Sequence, residues 1–218
     1  MYIKNKYMSL IYKFLIVIIS IYGLYDSCFK SSSVTLGEHF SYYTNFSNLL
    51  CIIFFSFYII MTLFNKNIKK IGKLKGGVTI AIMITAIVYN FILRPFMTDM
   101  EGVMDLNSIG NYIVHIIAPI MVIFDYILFD KKGLYEGVDP FIWVLIPFAY
   151  FIFIIIRASL GKTFTYTASK YPYFFIDIDA FGLPQVILNV FLMILVIILL
   201  GYIYLGIDKL LSKHKTIN

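Results

Sequence analysis

Charge is scarce in this chain. Of its 218 residues only 14% are Asp, Glu, Lys or Arg, whereas 61% are hydrophobic and the mean hydropathy is +0.87. A water-soluble domain of this size needs far more polar surface. Cysteine is scarcer still: Cys28 and Cys51 are too few for a disulfide framework. A single bridge between them is disfavoured, because Cys51 falls deep inside an apolar run. Zinc-ligand spacing, a P-loop, a dinucleotide fingerprint, a Gly-x-Ser-x-Gly elbow and a Cys-x-x-Cys pair are all missing. No metal and no soluble cofactor is expected. The apolar runs are continuous rather than alternating, which argues against a membrane β-barrel.

What is present is a set of six apolar runs, roughly Met8–Ser27, Tyr42–Phe64, Leu74–Leu93, Ile109–Phe129, Pro140–Ile156 and Pro184–Leu205. Each is long enough, or nearly so, to cross ~30 Å of hydrocarbon as a helix. Helices satisfy their own backbone groups in lipid, so the expected fold is all-α: a polytopic bundle of six transmembrane helices forming one domain over residues 1–218. The fifth run is short, and Pro147 is expected to kink it. The first run resembles a signal peptide, but no small-x-small cleavage site follows, so it is read as a span.

Lysine and arginine set the orientation. Lys4, Lys6, Lys13, Lys66, Lys69, Lys70, Lys73, Lys75, Lys131, Lys132, Lys209, Lys213 and Lys215 fall on one side. Lys30, Arg94, Arg157, Lys162 and Lys170 fall on the other. By this bias both termini are expected to be cytoplasmic. The net charge of +6 is read as membrane topology, with attraction of Lys66–Lys75 to anionic lipid, and not as nucleic-acid binding. The outer connections hold Glu38 and His39, then Asp99, Glu101 and Asp105, and last the longest, from about Arg157 to Leu183. That third connection contains Tyr-Pro-Tyr-Phe-Phe-Ile-Asp at 171–177. It is too aromatic for a solvated loop, and is expected to lie in the interface or dip back as a lid.

Ionisable side chains inside a span are site candidates by default. His115 is the only histidine within an apolar run; His39 and His214 lie near run ends. It sits ~9 Å below the outer end of the fourth run. Thr44 falls at similar depth near the outer end of the second. A hydroxyl beside a neutral imidazole is the minimal pair for nucleophilic attack on a carbonyl. Asn48, one turn further on the same face, or backbone N–H groups at that helix end, are candidates to hold an oxyanion. Asn111 precedes His115 by one turn and is placed to orient the ring. Equally, Thr44, His115 and Asn111 suit hydrogen bonds between packed helices, and both readings stand at this point. Asp125 is ~15 Å deeper than the ring and is assigned to a buried polar contact near the inner side. Arg94 and Arg157, at outer helix ends, either snorkel or bind a carboxylate of a lipid-like substrate. Asp177 and Asp179 either face the site or keep the connection wet; as a metal signal the pair is weak.

Taken together, the six runs, Thr44, the Asn111-x-x-x-His115 pair followed by Pro119 and Asp125, and the 171–177 segment resemble one family. It is the androgen-induced and androgen-dependent membrane hydrolases of animals with their bacterial six-helix relatives. That resemblance implies an intramembrane threonine hydrolase of fatty-acid esters of hydroxy fatty acids. It would have Thr44 as nucleophile and His115 as general base, in a bacterial-type cell membrane. Asn111 and Asp125 match the family's spacing about the histidine, and 171–177 is similar to a segment typical of the bacterial members. Pro119 lies one residue closer to the histidine than in the animal proteins, and Tyr112 stands where they carry a second histidine. The implied substrate is therefore a related acyl ester of a membrane lipid. The competing expectation is a six-helix small-molecule binding or transport subunit without catalysis.

Overall fold

The computed structural model describes residues 2–29, 34–66, 69–97 and 106–213. Lys30, Asp99, Glu101, Asp105, His214 and Lys215 lie outside the described residues. The described residues are mainly helical, with no strand among them. Six helices are long and apolar enough to cross a membrane: α1 (Lys6–Cys28), α2 (Tyr43–Leu63), α3 (Ile71–Leu93), α4 (Ile109–Phe129), α5 (Asp139–Ser159) and α6 (Leu183–Lys213). They match the six apolar runs. Large apolar side chains point outward from them, among them Phe14, Phe57, Phe153 and Leu199. Such a surface is stable against lipid and not against water.

Helix α3 is central and the most buried of the six. One face of it packs Val78 and Ile82 against Ile16, Cys51, Phe55 and Val122 of α1, α2 and α4. The other packs Ile80 and Ile84 against an aromatic core with Tyr126, Tyr135, Trp143, Tyr150 and Tyr204. Gly76 makes the second contact possible, since a Cβ there would lie 2.3 Å from the Trp143 ring. Gly110 does the same at the start of α4. Its N–H donates to Asp26 Oδ2 at 2.8 Å, and a Cβ would collide with that carboxylate. Cys28 and Cys51 are both free and buried.

The kink expected in the fifth run is present, and the end of the sixth departs from the sequence expectation. Helix α5 breaks at Val144, between Asp139–Trp143 and Leu145–Ser159. Pro147 has no N–H for the Trp143 carbonyl, so the break falls one turn before the proline. Helix α6 runs to Lys213 rather than ending near Leu205. Asp208 explains the extension. It is fully buried and accepts the Tyr126 hydroxyl (2.6 Å) and the Gly133 and Tyr135 N–H groups (2.9 and 3.1 Å). This ties α6 to the α4–α5 connection.

Lys13 and Lys75 also differ from expectation. Counted above as surface topology charges, both are fully buried. Lys13 pairs with Asp125 at 2.8 Å; Lys75 pairs with Asp125 and, at 2.6 Å, with Asp130. Asp125 thus makes a buried polar contact, as assigned, and the partners are the two lysines. The connection after α5 folds back onto the bundle, burying Phe164, Tyr171 and Ile176. The 171–177 segment therefore packs against the core.

Candidate active site

The site is built where α2, α3 and α4 meet, at the end that carries the long connection. Thr44 Oγ1 lies 3.0 Å from His115 Nε2. On the other side of the ring, Nδ1 lies 3.0 Å from the Asn111 carbonyl oxygen. A carbonyl only accepts, so Nδ1 carries the proton. In the neutral ring Nε2 then presents its lone pair, and the Thr44 hydroxyl donates to it. This is the tautomer a general base needs. Asn111 does orient the ring, as expected, but through its backbone. Its side chain donates instead to the Tyr89 hydroxyl (2.6 Å) and the Leu106 carbonyl (2.8 Å). Tyr89 in turn lies flat on the imidazole.

The backbone of α4 is unusual at this point. Residues Ile113–Ile117 form a π-helical turn in which the Ala118 N–H bonds to the Ile113 carbonyl. The Val114 carbonyl consequently loses its usual donor. Pro119 has no N–H, so the His115 carbonyl loses its donor too. Two asparagines supply replacements. Asn48 Nδ2 donates to Val114 O at 3.0 Å, and Asn90 Nδ2 reaches His115 O at 3.4 Å. Asn48 gives its second hydrogen to Thr44 O at 2.9 Å. Both Asn48 hydrogens are spent, so it holds the histidine turn to the threonine turn and is not an oxyanion donor. Tyr89 sits in a second π-helical turn, Val88–Leu93. Such turns shift register by one residue and recur at functional sites.

Thr44 faces both the imidazole and a cavity. The cavity, about 90 Å³ in volume, lies between α2, α3, α5, α6 and the 171–177 segment. Its walls are mainly apolar, including Ile84, Leu93, Pro147, Phe148, Phe151 and Met193; its polar groups come from Tyr43, Thr44, Thr85, Tyr89, Tyr150, Tyr173 and Asn189. A second cavity shares Ile84, Val88, Phe175, Asn189, Met193 and Ile197 with it and extends between α3 and α6 to Leu192, Val196 and Leu200. Leu192 and Val196 are half exposed on the outer face of α6. The two cavities adjoin at these shared residues, so their mainly apolar linings extend from Thr44 towards the α3–α6 side of the bundle.

Three expected contributors are elsewhere. Arg157 lies over the Phe164 ring at 3.7 Å and donates to the Lys162 carbonyl, so it braces the connection. Arg94 sits 5.9 Å from the Tyr112 ring at the C-terminal end of α3 and does not line the cavity. Asp177 caps the short helix Ile178–Phe181 through the Ala180 N–H (2.9 Å) and accepts from Ser169 (2.6 Å). Asp179 pairs with Lys170 at the surface. Sequence reasoning missed Tyr89, Asn90 and Tyr173 at the site. Asn90 carried a signal, an amide inside an apolar run. Tyr89 and Tyr173 were hidden among 18 tyrosines. No group of three or more His, Cys, Asp or Glu among the described residues has metal-binding geometry.

Comparison with protein-family models, curated proteins and solved structures gives no match.

Proposed function

We propose that this chain is an integral-membrane ester hydrolase with Thr44 as nucleophile and His115 as general base. Its substrate is an acyl ester of a membrane lipid. The observation that carries this reading is the Thr44–His115 hydrogen bond on the wall of an apolar cavity. The ring's tautomer and the apolar linings that extend towards the α3–α6 side support it.

In the reaction, Thr44 Oγ bonds to the ester carbon as its proton passes to His115 Nε2. The carbonyl π pair moves onto the carbonyl oxygen. The imidazolium keeps its Nδ1–H on the Asn111 carbonyl, which stabilises the charged ring. When the carbonyl re-forms, the C–O bond to the alcohol breaks and Nε2 returns the proton to the departing oxygen. Water then attacks the acyl-threonine, gives its proton to Nε2, and the acid leaves as Thr44 recovers the proton.

The resemblance to the androgen-induced and androgen-dependent hydrolases and their bacterial relatives agrees with these roles. The lysine and arginine bias supports a cytoplasmic side for both termini, with the dyad in the outer leaflet, and the resemblance supports a bacterial-type cell membrane. Acyl chains enter from the bilayer at the α3–α6 side.

The test is labelling of the purified protein in detergent by a lipophilic alkyl fluorophosphonate. Wild type gives an adduct that maps to Thr44, and Thr44→Ala and His115→Ala give none. Folded wild type without adduct would remove the hydrolase reading and leave ligand binding, measured by thermal shift, as the next one.

A further inference from the structure

The dyad as described lacks a group to hold the oxyanion. Asn48 and Asn111 have each committed both amide hydrogens. Thr85 is bonded to Ser47 at 2.6 Å, and Ser47 also reaches the Thr44 carbonyl at 3.0 Å. Two hydroxyls on the cavity wall remain, that of Tyr43, which is buried with no hydrogen-bond partner among the described residues, and that of Tyr173, which is held at the start of α2 beside Thr44. Helix α2 starts at Tyr43 with no capping side chain from its own N-cap residue, Tyr42. The orphan N–H groups of that first turn are met from another part of the chain. The Tyr43 N–H donates to the Tyr173 hydroxyl at 2.9 Å, which seats that oxygen at the first turn of α2, one residue from Thr44. Tyr173 is locked in place by Phe175, whose ring is parallel to it at 5.5 Å, and by Tyr42. Tyr150 gives its own proton to the Ser41 carbonyl at 2.8 Å, so it does not compete as a donor.

We propose that Tyr173 is a catalytic residue, donating its phenolic hydrogen bond to the oxyanion that forms when Thr44 attacks. The inference rests on the hydrolase reading and adds a residue that the Thr–His pair does not include. Tyr173 and Thr44 share the cavity wall, so a carbonyl carbon bonded to Thr44 Oγ1 brings its oxygen within reach of the phenol. Backbone donors at the positive end of α2 polarise that phenol and strengthen it as a donor. No proton changes hands at this step. The hydrogen bond strengthens as negative charge gathers on the carbonyl oxygen and relaxes when the carbonyl re-forms.

The experiment compares wild type, Tyr173→Phe and Thr44→Ala, purified at full length in detergent. Probes are an alkyl fluorophosphonate, 4-nitrophenyl octanoate and the matching thionoester, whose sulfur accepts hydrogen bonds poorly. Wild type labels and prefers the oxygen ester. Tyr173→Phe lowers kcat about 10²- to 10³-fold with KM little changed, and the oxygen-over-sulfur preference collapses. A variant that keeps wild-type kcat, or loses rate while keeping the preference, overturns the role of Tyr173 and leaves the dyad standing. Wild type that neither labels nor turns over overturns both readings at once. Because Tyr173 also caps α2, 3-fluorotyrosine at 173 serves as a second variant. It keeps the cap and makes the phenol more acidic, so an altered oxygen-over-sulfur preference supports the proposal and an unaltered one refutes it.

Discussion

Tyr89 lies flat against His115, with ring centroids 3.5 Å apart and planes 15° apart. The stack fixes the plane of the imidazole while the Asn111 carbonyl fixes its rotation. Both are needed to aim Nε2 at Thr44. Truncation to Tyr89→Ala frees the ring, and misplacement of a base by about 1 Å can cost about 10²-fold. The expected fall in fluorophosphonate labelling rate is about 10- to 100-fold. Tyr89→Phe keeps the stack and loses one hydrogen bond with Asn111, about 1 kcal/mol, and so falls about 5-fold. Equal rates for Ala and wild type would show that the stack does not position the base.

Asn48 joins the threonine and histidine turns through Thr44 O and Val114 O. Asn48→Leu preserves bulk and removes both donors. The Val114 carbonyl is then left in the core without a partner, which costs about 1–3 kcal/mol. Thermal unfolding in detergent should drop and the labelling rate should drop with it. A variant that loses stability at full labelling rate would separate the two helices' packing from the geometry of the dyad.

The positions of six apolar runs were readable because lipid imposes one constraint, internally satisfied backbone, on every span. Thr44 and His115 stood out because polar side chains are costly there. Tyr89 and Tyr173 did not, since an aromatic at the membrane edge is ordinary and only the stack or the cap gives it a role. The lysines misled for a related reason. Counting Lys13 and Lys75 as surface charge ignores that each can reach a carboxylate on another helix. The partners of Asp125 were hidden for the same reason: Lys13 lies 112 residues away in the chain.

That buried cluster has an asymmetry that yields a stability prediction. Asp125 is the carboxylate that ion-pairs with Lys13 among the described residues, whereas Lys75 also holds Asp130. Asp125→Asn therefore strands Lys13 in the core and should destabilise by about 3–5 kcal/mol. Adding Lys13→Met removes the stranded charge while Lys75 keeps Asp130, so the double variant should regain much of the loss. Unfolding curves for both single variants and the double give the coupling directly. Additive losses would mean that the Lys13–Asp125 contact contributes nothing specific.

Lys132, in the connection after α4, gives the pH prediction. Burial pushes its ammonium down to about 8, against the opposing pull of Asp130. Its nitrogen donates to the Tyr126 and Asp130 carbonyls and sits over the Tyr126 ring. In the unfolded chain the same group titrates near 10.5. Below pH 8 both states are charged, and the burial cost is present in full. As pH rises through 8 the folded chain releases the proton and the unfolded chain holds it. The unfolded state then binds more protons, and stability attributable to Lys132 rises until about pH 10.5. Lys132→Met lacks the titration. Subtracting its unfolding free energy from that of wild type at each pH isolates the residue from the tyrosines and other lysines that titrate in the same range. The difference should climb in favour of wild type between pH 8 and 10.5 and be level below pH 7. A flat difference, or one that falls, would mean that Lys132 stays charged in the folded chain and that Asp130, rather than burial, governs it.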